Sequence, residues 1–339
     1  MVDLYGRDLI TSQEWSKEEI DATIELAKKL KKQYYEGTLG DPLKEQTFFM
    51  LFYNTSTRTR ASFEAAMTAL GGHAQFVDVS TTRVGEGEMP KDVARMYERY
   101  GHGLGIRILE SAVGYVYGRG NEFIRKYAEN CDIPVISLAD DKYHPCQGLA
   151  DLLTVQEKIP DYQGKKYVIS WAYSDKVRSW GSVQEEAMLM SRYGIDVTIA
   201  APEGFELDQE IMDTCRKNAK ESGANFETTN DLDGALEDAH IVFSRSWASH
   251  KCMMDGIKKF GKEREQKLHE NHVDWKLTQE RLNLMDDDAI MMHVLPVFRG
   301  QEASDEVVDG PHSVIYDQAE NRLHAQTAIL TQTMSKNYK

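Results

Sequence analysis

The stretch FYNTSTRTRASFEAAMTALGG, Phe52 to Gly72, sets Ser56, Thr57, Arg58, Thr59 and Arg60 between an apolar run and a helical pattern. Hydroxyls and a guanidinium crowded at one turn make a dense set of hydrogen-bond donors, suited to an anion and to phosphate in particular. The preceding TFFMLFYN is apolar at nearly every position, as a strand buried on both faces is. Phe63, Met67 and Leu70 then recur at helical spacing, and Gly71-Gly72 stops the helix. Ser56 therefore falls where a helix begins, and the N–H groups and positive dipole end there already attract an anion. Arg60, one step round the helix, could point elsewhere and pair with an acid. The alternative is that Ser56 only caps the helix while the arginines make surface salt bridges. Taken alone, other candidates are equally open: His144 precedes a proline, which disfavours helix at that position, and could be an ordinary loop histidine. Arg107, in GIRILE, could serve a salt bridge, and Gln147 could be the first exposed position of a helix.

The elements that must hold these residues alternate between strand and helix. TFFMLFYN is followed by TRASFEAAMTAL, IPVISL by GLADLLTVQEKI, KYVISWAY by SVQEEAMLMSRYG, and IDVTIAAP by DQEIMDTCRKNAKESG. Such alternation implies an α/β protein whose parallel sheets are flanked by helices. A chain of 339 residues is long for a single core, so two doubly wound domains are expected. EKIPDYQGKK (Glu157 to Lys166), with proline, glycine and charge together, is the best junction, crossed by a helix. TTRVGEGEMP (Thr81 to Pro90) and KKFGKEREQKLHENHVDW (Lys258 to Trp275) lack clear periodicity and read as exposed loops, the second at most a solvated helix.

Bulk composition narrows the function. Hydrophobic residues make up 41% and charged residues 28%, and no long uncharged apolar run provides a membrane span. Asp3, Arg7 and Asp8 stand where a secretory signal needs an apolar centre, so a cytoplasmic protein is expected. Cys131, Cys146, Cys215 and Cys252 lie far apart with no CxxC pair, against both a disulfide framework and a thiolate metal site. A net charge of -15 repels nucleic acid and anionic lipid over most of the surface. No G-x-G-x-x-G follows a strand, which removes the support for a nicotinamide dehydrogenase.

Four motifs in order bring a family into view. Ser56 to Arg60 reads S-T-R-T-R; HPCQGLADLLT carries H-P-x-Q as His144, Pro145 and Gln147; HVLPVFRG runs from His293 to Gly300; and DQAENRLHAQTAIL, near the end, includes Arg322. Together they resemble the aspartate/ornithine carbamoyltransferases over almost the whole chain. The resemblance implies a carbamoyl-phosphate-binding domain at 1–155, completed by a C-terminal helix at 318–336, and an amino-acid-binding domain at 156–317. It implies that Ser56, Thr57, Arg58, Thr59 and Arg322 hold the phosphate. Arg107 and His144, with Thr59, would donate to the carbonyl oxygen, and Gln147 would grip the carbamoyl NH2. Departing phosphate would accept the amine's proton, with no metal and no organic cofactor. The loop around Arg83, Glu86 and Glu88 resembles one that reaches a neighbour's active site, which implies a homotrimer with shared sites.

The acceptor amine is less determined. No S-M-G stands in the second half; SRSWASHK, with Arg245, Ser246 and Trp247, resembles the K-S-W pattern of the transcarbamylases with a trefoil-knotted second domain, where the segment from Trp171 to Val183 would be threaded. Val294 replaces the family's cysteine, leaving the backbone at Val294 and Leu295 to meet the amine. Arg245 suits a carboxylate, Asp140 could meet a cationic amine, and Glu302 would disfavour an anionic acyl group. The expectation is ornithine or an ornithine-like amino acid, with N-acetylornithine or aspartate as alternatives, and a non-catalytic carbamoyl-phosphate-binding protein as the alternative of another class.

Overall fold

The computed structural model describes residues 2–336. It divides into two compact units, one of Met1–Val113, Gly118–Leu153 and Glu320–Lys339, the other of Gly114–Tyr117 and Thr154–Ala319.

The first unit is built on strands β1 (Thr47–Phe52), β2 (His73–Asp78), β3 (Gly103–Ile108) and β4 (Val135–Asp140), all parallel in the order β2-β1-β3-β4. Its helices are α1 (Lys17–Glu36), α2 (Arg58–Ala69), α3 (Pro90–Tyr100), α4 (Arg119–Ala128) and α5 (Pro145–Lys158), the last of which the division enters after Leu153. A capping box of Ser16 and Glu19 starts α1. Phe48 on β1 stacks on Phe63 of α2 with ring centroids 5.4 Å apart, both fully buried, and each such ring contributes about 1.5–3 kcal/mol of burial. That packing fixes the direction in which α2 leaves the strand, and hence where its first turn points.

The second unit holds β5 (Lys166–Trp171), β6 (Asp196–Ala200), β7 (Phe226–Thr229), β8 (Ile241–Arg245) and β9 (Ile290–Met292), again parallel, in the order β7-β6-β5-β8-β9. Around them lie α6 (Gly181–Arg192), α7 (Gln209–Ser222), α8 (Leu232–Leu236), α9 (His250–Asp255), α10 (Ile257–Phe260), α11 (Lys262–Glu270), α12 (Gln279–Leu282) and α13 (Asp305–Val308). Helix α14 (Ile315–Met334) begins here and carries Glu320 onward into the first unit.

The stretch from Lys258 to Trp275 departs from expectation. It forms α10 and α11, and one face is interior: Glu265 and His269 are buried. Glu265 accepts from the Ser249 N–H at 2.7 Å, and His269 lies between Glu265 (3.0 Å) and the Ser174 carbonyl (2.9 Å). The charge density of the segment concealed this, because a single buried acid with fixed partners looks in sequence like any solvated one.

Candidate active site

In a parallel sheet the carboxyl ends of two strands are left uncovered where the strand order reverses, and ligands bind there. In the first unit the chain passes from β1 to β2 on one side and then to β3 on the other, so the reversal falls between β1 and β3. Phe52, the last residue of β1, is the register partner of Arg107 near the end of β3. The Ser56–Arg58 turn follows β1 and His144 follows β4, so the sheet delivers both at this edge.

Helix α14 completes the cluster. Arg322 donates through Nη2 to Thr59 Oγ1 (3.2 Å) and through Nη1 to Gln147 Oε1 (2.6 Å), tying α2 to α5. Gln147 in turn donates from Nε2 to Asp151 Oδ1 at 2.7 Å, one helical turn on. Thr59, Gln147, Asp151 and Arg322 are all buried. Thr57 starts α2 without a side-chain capping bond, so its hydroxyl is not consumed as a helix cap. Arg60 turns away, as expected, pairing with Glu64 at 3.0 Å and lying 3.8 Å over the Phe76 ring.

The electrostatics follow from crowding. Burial pushes the Arg107 guanidinium down to about 10, Arg322 and Arg58 push the same way, and Glu110 opposes. Arg322 is also lowered, by burial first and then by Arg58, against Cys146 and Asp151. Guanidiniums that depress one another's pKa form a cationic site for which a dianion is the natural complement. The Arg107 Nε is buried with no hydrogen-bond partner among the described residues.

Asp140 does not offer its carboxylate to an amine. It accepts from Lys142 N–H (2.8 Å) and Tyr143 N–H (2.6 Å) on Oδ1, and from Asn121 Nδ2 (3.0 Å) and Ser137 Oγ (3.1 Å) on Oδ2. Burial, then Asp141, raises its pKa to about 7 against those bonds. Its work is to shape the turn that carries His144. Asp141 beside it receives the Gly120 and Asn121 N–H groups at 3.3 and 3.1 Å, at the start of α4. Only glycine fits at 120, where a Cβ would stand 2.6 Å from the Ile108 carbonyl oxygen.

With that geometry in place, comparison with known proteins is direct. The family model described as "Aspartate/ornithine carbamoyltransferase, carbamoyl-P binding domain" matches residues 7–157, and the one described as "Aspartate/ornithine carbamoyltransferase, Asp/Orn binding domain" matches residues 164–333. The chain belongs to the aspartate/ornithine carbamoyltransferase family. An ornithine carbamoyltransferase of Halalkalibacterium halodurans is 37% identical over 98% of this chain and 96% of its own length. The structure of the Pyrococcus furiosus ornithine carbamoyltransferase is similar with a TM-score of 0.87 at 33% identity, covering 99% of each chain. Acetylornithine transcarbamylase complexed with acetylcitrulline is similar with a TM-score of 0.87 at 30% identity, covering 97% of this chain and 100% of that one.

In the second unit of this carbamoyltransferase the strand order reverses between β5 and β8, where Trp171 and Arg245 are register partners. Arg245 donates from Nη1 to Ser182 Oγ, and Ser246 follows it, buried. Trp247 is a core residue rather than a ligand contact: its indole is fully buried and donates to the Phe205 carbonyl at 2.8 Å. Glu302 is likewise no free charge. Its carboxylate is buried and accepts from Ser246 N–H (2.9 Å) on Oε1 and Phe298 N–H (2.8 Å) on Oε2, with His293 Nε2 at 3.4 Å. Burial works to raise its pKa, but His293, Arg178 and the Ser246 N–H outweigh that and hold it at about 2. Val294 and Leu295 are half-buried; Leu295 has a φ of 54°, in the left-handed region, and His293 Nδ1 accepts its N–H at 2.9 Å.

Arg83 and Glu86 are exposed and pair with each other within one turn, and Glu88 is exposed beside them. Asp151, Glu110 and Arg178 were missed in the sequence. Asp151 had a usable signal, four residues after Gln147 on one helix; Arg178 had none beyond lying in the Trp171 to Val183 segment. Among the described residues no group of three or more His, Cys, Asp or Glu could hold a metal ion, and no helix is long and apolar enough to cross a membrane.

Proposed function

We propose that the first unit, completed by α14, binds carbamoyl phosphate, and that the protein transfers the carbamoyl group to an amine of ornithine or an ornithine-like amino acid held by the second unit. The observation that carries this reading is the Arg322 guanidinium joined to Thr59 and Gln147 in a site that also crowds Arg58 and Arg107. Ser56, Thr57, Arg58, Thr59 and Arg322 neutralise the phosphate. Arg107 and His144, with Thr59, stabilise the oxygen that becomes negative as nitrogen adds to the carbonyl carbon; donors fixed in advance are the strongest lever on such a step. Gln147 Oε1 has a lone pair beyond its Arg322 bond and takes the carbamoyl NH2. The C–N bond forms, the C–O bond to phosphate breaks, and phosphate leaves with the amine's proton. Backbone at Val294 and Leu295 orients the amine, and Arg245 and Ser246 bind its amino-acid end. A cytoplasmic homotrimer, with Arg83, Glu86 and Glu88 reaching a neighbour's site, follows from the family resemblance.

One observation favours a second acceptor. Asp140 and Glu302 both have their oxygens occupied, so neither provides the counter-charge that a free α-ammonium would seek. An N-acylated ornithine, whose α-nitrogen is uncharged, needs none. Phosphate release from carbamoyl phosphate, measured with ornithine, N-acetylornithine and aspartate, tests the proposal: release with one of them supports transfer, and release with none overturns it.

A further inference from the structure

Resting on the transfer reading, we infer that Arg178 is the residue that selects acceptors bearing a carboxylate, with the Ser246 hydroxyl and Arg245 beside it and Glu302 as the buried anion that positions it. Arg178 follows β5 and Ser246 follows β8, so the two loops leave the carboxyl ends of the strands between which the sheet order reverses, where a parallel sheet binds ligands.

The Arg178 side chain is 13% exposed and is fixed from several sides. Nη2 donates to the Pro296 carbonyl at 3.2 Å and lies 3.9 Å from Glu302 Oε2, and the guanidinium sits 4.5 Å over the Phe298 ring. Its Nε is buried with no hydrogen-bond partner among the described residues, and the same holds for Ser246 Oγ. Ser246 gives its N–H to Oε1 of the carboxylate whose Oε2 faces Arg178. The two unsatisfied donors therefore flank one buried anion, and a buried donor left unmade is costly unless a ligand completes it.

Charge counting gives the ligand's sign. His293 feels both Arg178 and Arg245, so the two guanidiniums share one neighbourhood. Against them stands Glu302, whose oxygens are taken, and Asp175, which pairs with Lys176 at 2.9 Å. Arg299, in the same loop, is paired with Asp305 and Asp309. With the exposed Asp305 and Asp309 counted the named charges cancel, but at the buried carboxylate two guanidiniums, Arg178 and Arg245, face the one anion of Glu302, and a planar fork that already stacks on an aromatic ring suits a carboxylate better than a point charge would.

The test compares each amine with its decarboxylated counterpart: ornithine with putrescine, and N-acetylornithine with N-acetylputrescine, reading phosphate release. Wild type is expected to prefer the carboxylate-bearing member. Arg178→Gln should raise KM for that member by about 10- to 100-fold, leave the decarboxylated amine within about threefold, and leave kcat little changed, as the loss of a charged hydrogen bond does. Arg178→Lys should recover part of the loss, and Ser246→Ala should show the same selectivity on a smaller scale. Inorganic phosphate binding, followed by calorimetry, should be the same in every variant and reports that the first unit is folded. Equal losses for both members of a pair, or a wild-type preference for the decarboxylated amine, overturn the assignment of Arg178 while leaving carbamoyl transfer standing. No release with any amine overturns the transfer reading and this subsite with it.

Discussion

Replacing Arg107 with methionine should make the protein more stable and far less active. The guanidinium is held at about 10, well below its ordinary value, chiefly by burial and then by Arg322. Each pKa unit is about 1.4 kcal/mol, so keeping the cation there at neutral pH costs roughly 3 kcal/mol of folding free energy. The sign is unambiguous: a depressed pKa on a base means that the fold disfavours the charged form. Methionine keeps the length and removes the charge and the unpartnered Nε. The attraction of Glu110 is already inside that figure; imperfect packing of methionine in a site shaped for a guanidinium takes back part of the gain and leaves a net stabilisation of about 1–2 kcal/mol. Differential scanning calorimetry without ligand should show Tm rising by roughly 2–6 °C. Phosphate should protect the variant less than it protects wild type, and kcat should fall about 100- to 1,000-fold, the usual loss for a donor to a developing oxyanion. A lower Tm together with kcat within about threefold of wild type would refute the reasoning and make Arg107 a structural partner of Glu110.

Other outcomes follow from single residues. Asp140 has its carboxyl raised from 3.8 to about 7, so its contribution to stability is whole below about pH 4 and is lost as pH climbs through 7; the urea midpoint of wild type should decline over that window, and Asp140→Asn should flatten the decline, parallel profiles speaking against it. Glu302→Gln leaves the Ser246 and Phe298 N–H groups without a carboxylate and should cost about 3–5 kcal/mol in urea unfolding; a loss under 1 kcal/mol would show that Glu302 is not the anchor of its loop. Gly120→Ala brings a Cβ to 2.6 Å from the Ile108 carbonyl oxygen and should destabilise by about 1–3 kcal/mol, read as a lower urea midpoint.

The parts of the site that could be read in the sequence are those whose grammar is local. Strand, turn and helix in TFFMLFYN and the following residues are adjacent in the chain, and the donors at their junction needed no distant partner to be noticed. Arg322 and Thr59 are 263 positions apart, and what linked them beforehand was family resemblance rather than any pattern. Asp140 and Glu302 show the opposite failure. A letter gives the charge of a side chain but not the number of N–H groups aimed at it: Asp140 is absorbed by the backbone of its own loop, and Glu302 by Phe298 of its own loop and Ser246 of the loop after β8. Trp247 was placed at the acceptor because of its neighbours, yet its ring satisfies the core. Arg178 was passed over because an arginine in an aperiodic loop carries no mark of what it will lie against.

The Arg322 link has a consequence for synthesis. Thr59 and Gln147 emerge from the ribosome long before the guanidinium that joins them, so a nascent chain lacks that link until its last helix is made and, on the proposed reading of the site, lacks part of the grip on carbamoyl phosphate. A product terminated before codon 322 lacks both this link and the buried Ile329, Leu330 and Met334 of the same helix, and should bind anions weakly. Competence therefore arrives late in translation, with the final helix, and a partial copy does not sequester a labile metabolite that it has no means to use.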